Sequence, residues 1–142
     1  MRYHFVAIAA VASMLAGGSL AGAQSTPPAQ PAPADSAYAS AVRSTPGLIG
    51  YWRLGETDGD LAQDSSGQGR DGTYAAAARQ GAQGLITGDA NLAVGLPGQP
   101  EGWVDVGDTL DFAGLAPFSI EAWVGPAQFA SPYPRLVQKE AT

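Results

Sequence analysis

From Gly47 onward the chain is cut into short apolar runs, and this punctuation limits what it can fold into more than any other feature. The runs are "LIGYWRL" (48–54), "NLAVGL" (91–96), "GWVDV" (102–106), "FSIEAWV" (118–124) and "RLVQK" (135–139), each five to seven residues long and bounded by turn-forming residues. Segments of that length, partly β-branched or aromatic, read as strands. "GTY" (72–74) and "GLI" (84–86) are weaker candidates. The 19 glycines and 11 prolines argue against long helices, because proline lacks the N–H a helix needs and glycine loses most entropy on ordering. Only "SAYASAVRS" (36–44), rich in alanine and followed by Pro46, suits one or two helical turns. Many short strands with glycine-rich turns predict an all-β sandwich or barrel. The sequence shows no internal repeat.

"PFSIEAWV" (117–124) alternates strictly. In a strand, successive side chains leave opposite faces, so Phe118, Ile120 and Val124 share one face while Glu121 and Trp123 share the other. "GWVDV" repeats the pattern, with Val104 and Val106 against Trp103 and Asp105. The expected core is therefore Trp52, Leu54, Val104, Val106, Phe118, Ile120 and Val124. Each strand then offers a tryptophan and an acid on its non-core face. An indole stacks on the apolar face of a sugar and a carboxylate accepts from hydroxyls, so Trp103, Asp105, Glu121 and Trp123 are the candidate ligand-binding residues. The competing reading is that each indole is covered and packs structurally, as tryptophan usually does.

The beginning of the chain has a different texture. "MRYHFVAIAAVASMLAGGSLAGAQS" combines Arg2 and His4, an apolar run from Phe5 to about Leu15, and Ala21-Gly22-Ala23 ahead of Gln24. That is the pattern of a secretory signal peptide over residues 1–23; the run is too short and too broken by Ser and Gly for a membrane span. Residues 24–37 form a Pro/Ala-rich linker, with Pro27, Pro28, Pro31 and Pro33 favouring an extended chain. The domain proper is assigned to residues 38–142. Cleavage after Ala23 would remove Arg2 and the single histidine, leaving six basic against thirteen acidic residues, a net charge of −7. Such a chain lacks the basic patch that nucleic acid requires. It is expected to be secreted, periplasmic or at the cell surface, with no membrane insertion after cleavage.

Chemistry is bounded by what the chain lacks. Without cysteine or, after cleavage, histidine, it has no Ser-His-Asp triad, no thiol nucleophile and no H-E-x-x-H site. Asp105, Asp108 and Asp111 are the best local set of acids, but spaced three apart they alternate across a strand, and "GDTLDF" reads as a turn. No strand aligns two acids as glycoside hydrolysis requires, so no catalytic residue is assigned and the chain is expected not to be an enzyme. The polar stretch "DLAQDSSGQGRDG" (60–72) has two readings. Asp64 before Ser65, Ser66 and Gly67 suits an Asx-type turn, the favoured reading. A calcium loop using Asp58, Asp60 and Asp64 is the other, since hard cations take clustered oxygens, although the spacing is not that of an EF-hand.

Taken in order, "YASAVRSTPGLIGYWRLGE", "DSSGQGRDGTY", "GWVDVGD", "PFSIEAWV" and "RLVQKE" resemble a bacterial laminin-G-like domain of the concanavalin-A-like lectin and glucanase superfamily. The resemblance runs over residues 38–142. It implies an antiparallel jelly-roll sandwich and a non-catalytic module that binds carbohydrate, with an adhesion or spacer module for extracellular proteins as the alternative and a glycoside hydrolase as a remote one. It also implies that calcium is a plausible cofactor. Two departures stand out. "GLPGQPEG" (95–102) replaces the usual approach to the "WVDV" strand, and the strand comparable to a glucanase's catalytic strand offers only Glu121. The strands available are fewer than a jelly roll closes with, so the 142 residues are expected to be the front part of a longer protein, incomplete at the C-terminus and poorly folded alone.

Overall fold

The computed structural model describes residues 3–10, 35–97, 102–112, 115–125 and 135–139. Helix α1 (Ala37–Arg43) begins where the sequence supplies a cap: Ser36 is extended and its hydroxyl accepts from the Ala39 amide at 3.1 Å. Such a cap satisfies one of the four amides a helix start leaves unpaired. Ala39 and Val42, three apart and so on one face, are buried against Tyr51.

Tyr51 belongs to β2 (Leu48–Trp52), which is buried on both faces at its end. Period two explains how one strand serves two cores. Tyr51 lies under α1 with Ala39 and Val42, while Trp52 enters the main core with Leu54, Ala62, Tyr74 and Val94. The indole also lies across Gly50, where an added Cβ would strike the ring. Leu54 takes φ 49°. That region costs a non-glycine residue roughly 1–2 kcal/mol. Complete burial of the leucine, worth roughly 1.5–3 kcal/mol, offsets it.

The remaining strands are short: β3 (Leu61–Ala62), β4 (Gly72–Tyr74), β5 (Arg79–Ala82), β6 (Ala93–Gly95), β7 (Val104–Asp105) and β8 (Phe118–Val124). A three-stranded antiparallel sheet runs β3-β4-β7. A five-stranded sheet contains the antiparallel pair β5-β6 and is completed by β1 (Tyr3–Ala10) with β2 and β8. The main core takes Trp52 and Val94 from the larger sheet and Ala62 and Tyr74 from the smaller. The described residues are thus all-β with one short helix.

Several expectations need correction. The sheets are not purely antiparallel, because β1 pairs in parallel with β2, β6 and β8. β1 itself, residues 3–10, occupies a strand position inside the larger sheet. Neither "RLVQK" nor "GLI" forms a strand. Arg79–Ala82, a polar stretch with a glycine, does form one. Phe118, Ile120 and Val124 lie outside the core, 49%, 41% and 41% exposed. The face assignment is not reversed, since Glu121 on the opposite face is exposed too. The reason is architectural: Phe112 stacks on Phe118, with ring centroids 4.2 Å apart, but the apolar face of β8 stays exposed at all three residues. Val104 and Val106 are partly buried against the main core. No helix among the described residues is long and apolar enough to cross a membrane.

Candidate functional site

The acid and indole that share one face of β8 meet the helix. Trp123 Nε1 donates to the Tyr38 hydroxyl at 2.8 Å, and that hydroxyl donates to Glu121 Oε1 at 3.1 Å. The Tyr38 and Trp123 rings sit edge to face, 6.0 Å between centroids and 82° between planes, the arrangement that aromatic quadrupoles favour. Tyr38 can reach β8 because it stands in the first turn of α1, one residue before the buried Ala39. Burial first, then the hydrogen bond and charge of Glu121, push its phenol up to about 12, against the lowering effect of the Trp123 bond. The cluster remains at the surface, with Trp123 42% exposed. It presents aromatic area, one carboxylate and a fixed hydroxyl.

Of the other two candidate binding residues, Asp105 lies on β7 of the smaller sheet and Trp103 in the bend just before it. Trp103 is also 42% exposed, and its carbonyl accepts from the Ala75 amide at 3.0 Å. Asp105 Oδ1 accepts from the Gly107 amide at 2.8 Å, closing its own turn. The structure therefore brings Glu121 and Trp123 together through Tyr38 and leaves Trp103, in the bend before β7, and Asp105, on β7, apart from them. Asp108 and Asp111 converge on the Lys139 ammonium at 2.6 and 2.5 Å. Together they hold the lysine's charge, which raises its pKa.

The loop read as turn or calcium site is built around Asp64. Oδ1 accepts from the amides of Tyr51 (3.0 Å) and Ser66 (2.8 Å), and Oδ2 from the Ser66 hydroxyl (2.8 Å) and the Arg70 amide (3.0 Å). Burial alone would raise this carboxyl, but these bonds outweigh it and hold the group below its ordinary value. The loop is further pinned to β2 by Arg70 Nη1 on the Ile49 carbonyl (2.7 Å) and by Trp52 Nε1 on the Arg70 carbonyl (2.8 Å). Asp58 and Asp60 are exposed. Among the described residues no three His, Cys, Asp or Glu side chains gather in a way that could hold a metal ion.

Reading the sequence alone missed a second buried acid. Asp89 accepts from the Ser36 hydroxyl (2.5 Å), Arg53 Nη2 (2.9 Å) and the Asn91 amide (2.8 Å). Burial opposes its charge, and these three partners more than offset it, holding the carboxyl below its ordinary value. Asp89 thereby ties the cap of α1 to the loop that follows β5. The only signal for it was "GDAN" (88–91), an acid placed to bond its own downstream amide. Beside it, residues including Leu85, Ile86, Thr87, Asn91 and Leu92 line an open concavity of about 880 Å³. Glu56 was also missed; it accepts from the Tyr74 hydroxyl at 2.6 Å and the Gln63 amide at 3.0 Å.

No protein-family model, curated protein or solved structure matches this chain.

Proposed function

We propose that this chain is a secreted, non-catalytic binding module whose ligand is a carbohydrate. The observation that carries the reading is the surface cluster of Tyr38, Glu121 and Trp123. An indole that is held in orientation yet 42% exposed can stack on a sugar ring, and the adjacent carboxylate can accept from its hydroxyls. The pair Trp103 and Asp105 supplies a second surface of the same composition. A core shared between two sheets supports a sandwich, and the order of the motifs favours a laminin-G-like jelly roll. A calcium ion at Asp58, Asp60 and Asp64 belongs to the same proposal in a weaker form, because it would have to displace bonds that Asp64 already accepts.

A glycan array of the full chain tests the reading. Retention of a sugar class, weakened about tenfold in Trp123→Ala as the loss of roughly 1.4 kcal/mol of ring contact implies, is the expected result. No retention of any sugar, with Trp123→Ala indistinguishable from the parent, overturns it. The second reading, a protein-adhesion module, is favoured by the exposed apolar row of Phe118, Ile120 and Val124. Large apolar rows on a surface mark contact sites for macromolecules.

A further inference from the structure

β8 has a single ladder partner among the described strands, and it is β1. The register runs from Tyr3 opposite Phe118 to Ala10 opposite Val124, with one irregularity between Val6 and Ala9. On its other edge β1 meets β2, His4 opposite Leu48 through Ala7 opposite Trp52, and then touches β6 at Val94. The larger sheet is therefore joined to β8 through one strand, "YHFVAIAA", which comes from the segment whose sequence has the form of a cleavable leader. Without that strand, β2 and β8 would face each other across about 9.6 Å, two strand spacings of about 4.8 Å. Each facing edge would carry a row of unpaired amides and carbonyls.

We propose that the space between β2 and β8 is a strand-acceptor site, and that once the leader is removed its occupant is an extended apolar peptide segment of a partner protein. The guest is about eight residues long, like β1, and runs parallel to both walls. The chemistry of the site selects such a guest. Its two walls offer main-chain bonds, which give affinity for any extended backbone, and alternate side chains along the strand give selectivity. One wall carries Phe118, Ile120 and Val124 at every second or fourth position, all exposed. The strand seated there has no Asp, Glu, Lys or Arg. This inference rests on the export reading only for the emptying of the site, and it uses the backbone of β8 rather than the side chains assigned to sugar.

The test keeps the whole chain. A protease site is placed within residues 24–34, the folded protein is cut, and a fluorescent copy of "YHFVAIAA" with a solubilising tail is added. The expected result is uptake of the labelled peptide in exchange for the leader, with a Val6→Pro peptide binding at least tenfold more weakly because proline withdraws a ladder donor. Failure of the cut chain to take up the peptide, equal uptake of the proline version, or dimerisation that excludes the peptide would each overturn the proposal. A second measurement needs no cutting. The chain has no cysteine, so Phe5→Cys with Ile120→Cys, which are register partners, should form an intramolecular disulfide in the uncut protein. Its absence under oxidising conditions would show that β1 is not seated beside β8. Peptide uptake is read without sugar, so a blank glycan array and a failed exchange are separate results.

Discussion

Replacing Asp64 perturbs the loop most directly. Asp64→Ala removes the acceptor for the Tyr51, Ser66 and Arg70 amides and the Ser66 hydroxyl at once. Ser66 and Arg70 are partly exposed, so water replaces part of their bonding, but the Tyr51 amide lies in the buried part of β2. Stranding one buried donor costs roughly 1–3 kcal/mol, and losing a hydrogen bond to a charged acceptor a further 1.5–3 kcal/mol. The expected loss is about 4 kcal/mol, a large part of the 5–15 kcal/mol typical of a domain. With a urea dependence of about 2 kcal/mol per molar, the midpoint should fall by about 2 M at an unchanged slope. Asp64→Asn keeps Oδ1 for Tyr51 but turns an amide group toward other donors, so it should lose about half as much. A loss below 1 kcal/mol for Asp64→Ala, at constant slope, would refute the view that this carboxylate clasps the loop to β2. The acid limb adds an independent sign. Asp64 and Asp89 both ionise below their ordinary value of 3.8 in the folded chain. Their stabilisation is therefore present above about pH 4 and lost as pH falls through their depressed folded values, because the unfolded chain takes up protons first. Asp64→Asn should flatten part of that limb.

Other outcomes follow from the same geometry. Stability should fall between about pH 10 and 12, since Tyr38 keeps its proton to about 12 in the fold while the unfolded phenol ionises near 10; Glu121→Gln should bring the absorbance midpoint of that phenol down. Tyr38→Phe should release the Trp123 indole and shift its emission, while leaving the main core's urea midpoint within about 0.5 M. Ser36→Ala should cost about 1–2 kcal/mol, read by denaturant unfolding, because it removes both the cap of α1 and a bond to Asp89. Gly50→Ala should cost about 1–3 kcal/mol, since the new methyl displaces the Trp52 ring. If calcium binds at Asp58, Asp60 and Asp64, chelator should lower the melting temperature; an unchanged value removes that reading.

Local chemistry carried most of what was legible in the sequence. "FSIEAWV" and "GTY" became β8 and β4 with the bounds expected, because alternation and flanking turn residues act over a few positions. The DSSG turn was legible for the same reason: a carboxylate bonding amides two and six residues on is a short-range event. The meaning of Glu121 and Trp123 was not. Their partner Tyr38 lies more than eighty positions away, and nothing in a period-two pattern states what will lie over a face. "RLVQK" shows the converse. A strand-like composition does not make a strand without an edge to join, whereas the polar "RQGA" found one in β6.

The pairing of the first strand with the eighth has a consequence for the order of assembly. Tyr3 meets Phe118, 115 positions further along. Closing such a loop costs about 4 kcal/mol in chain entropy before any contact is gained. Synthesis proceeds at roughly 5–20 residues per second, so β1 waits about 6–23 s for β8 to be made. Leu48, its partner in β2, is only 44 positions from His4 and arrives within roughly 2–9 s. The strand made first is thus offered β2 well before β8, and among the described strands β8 joins the larger sheet through β1.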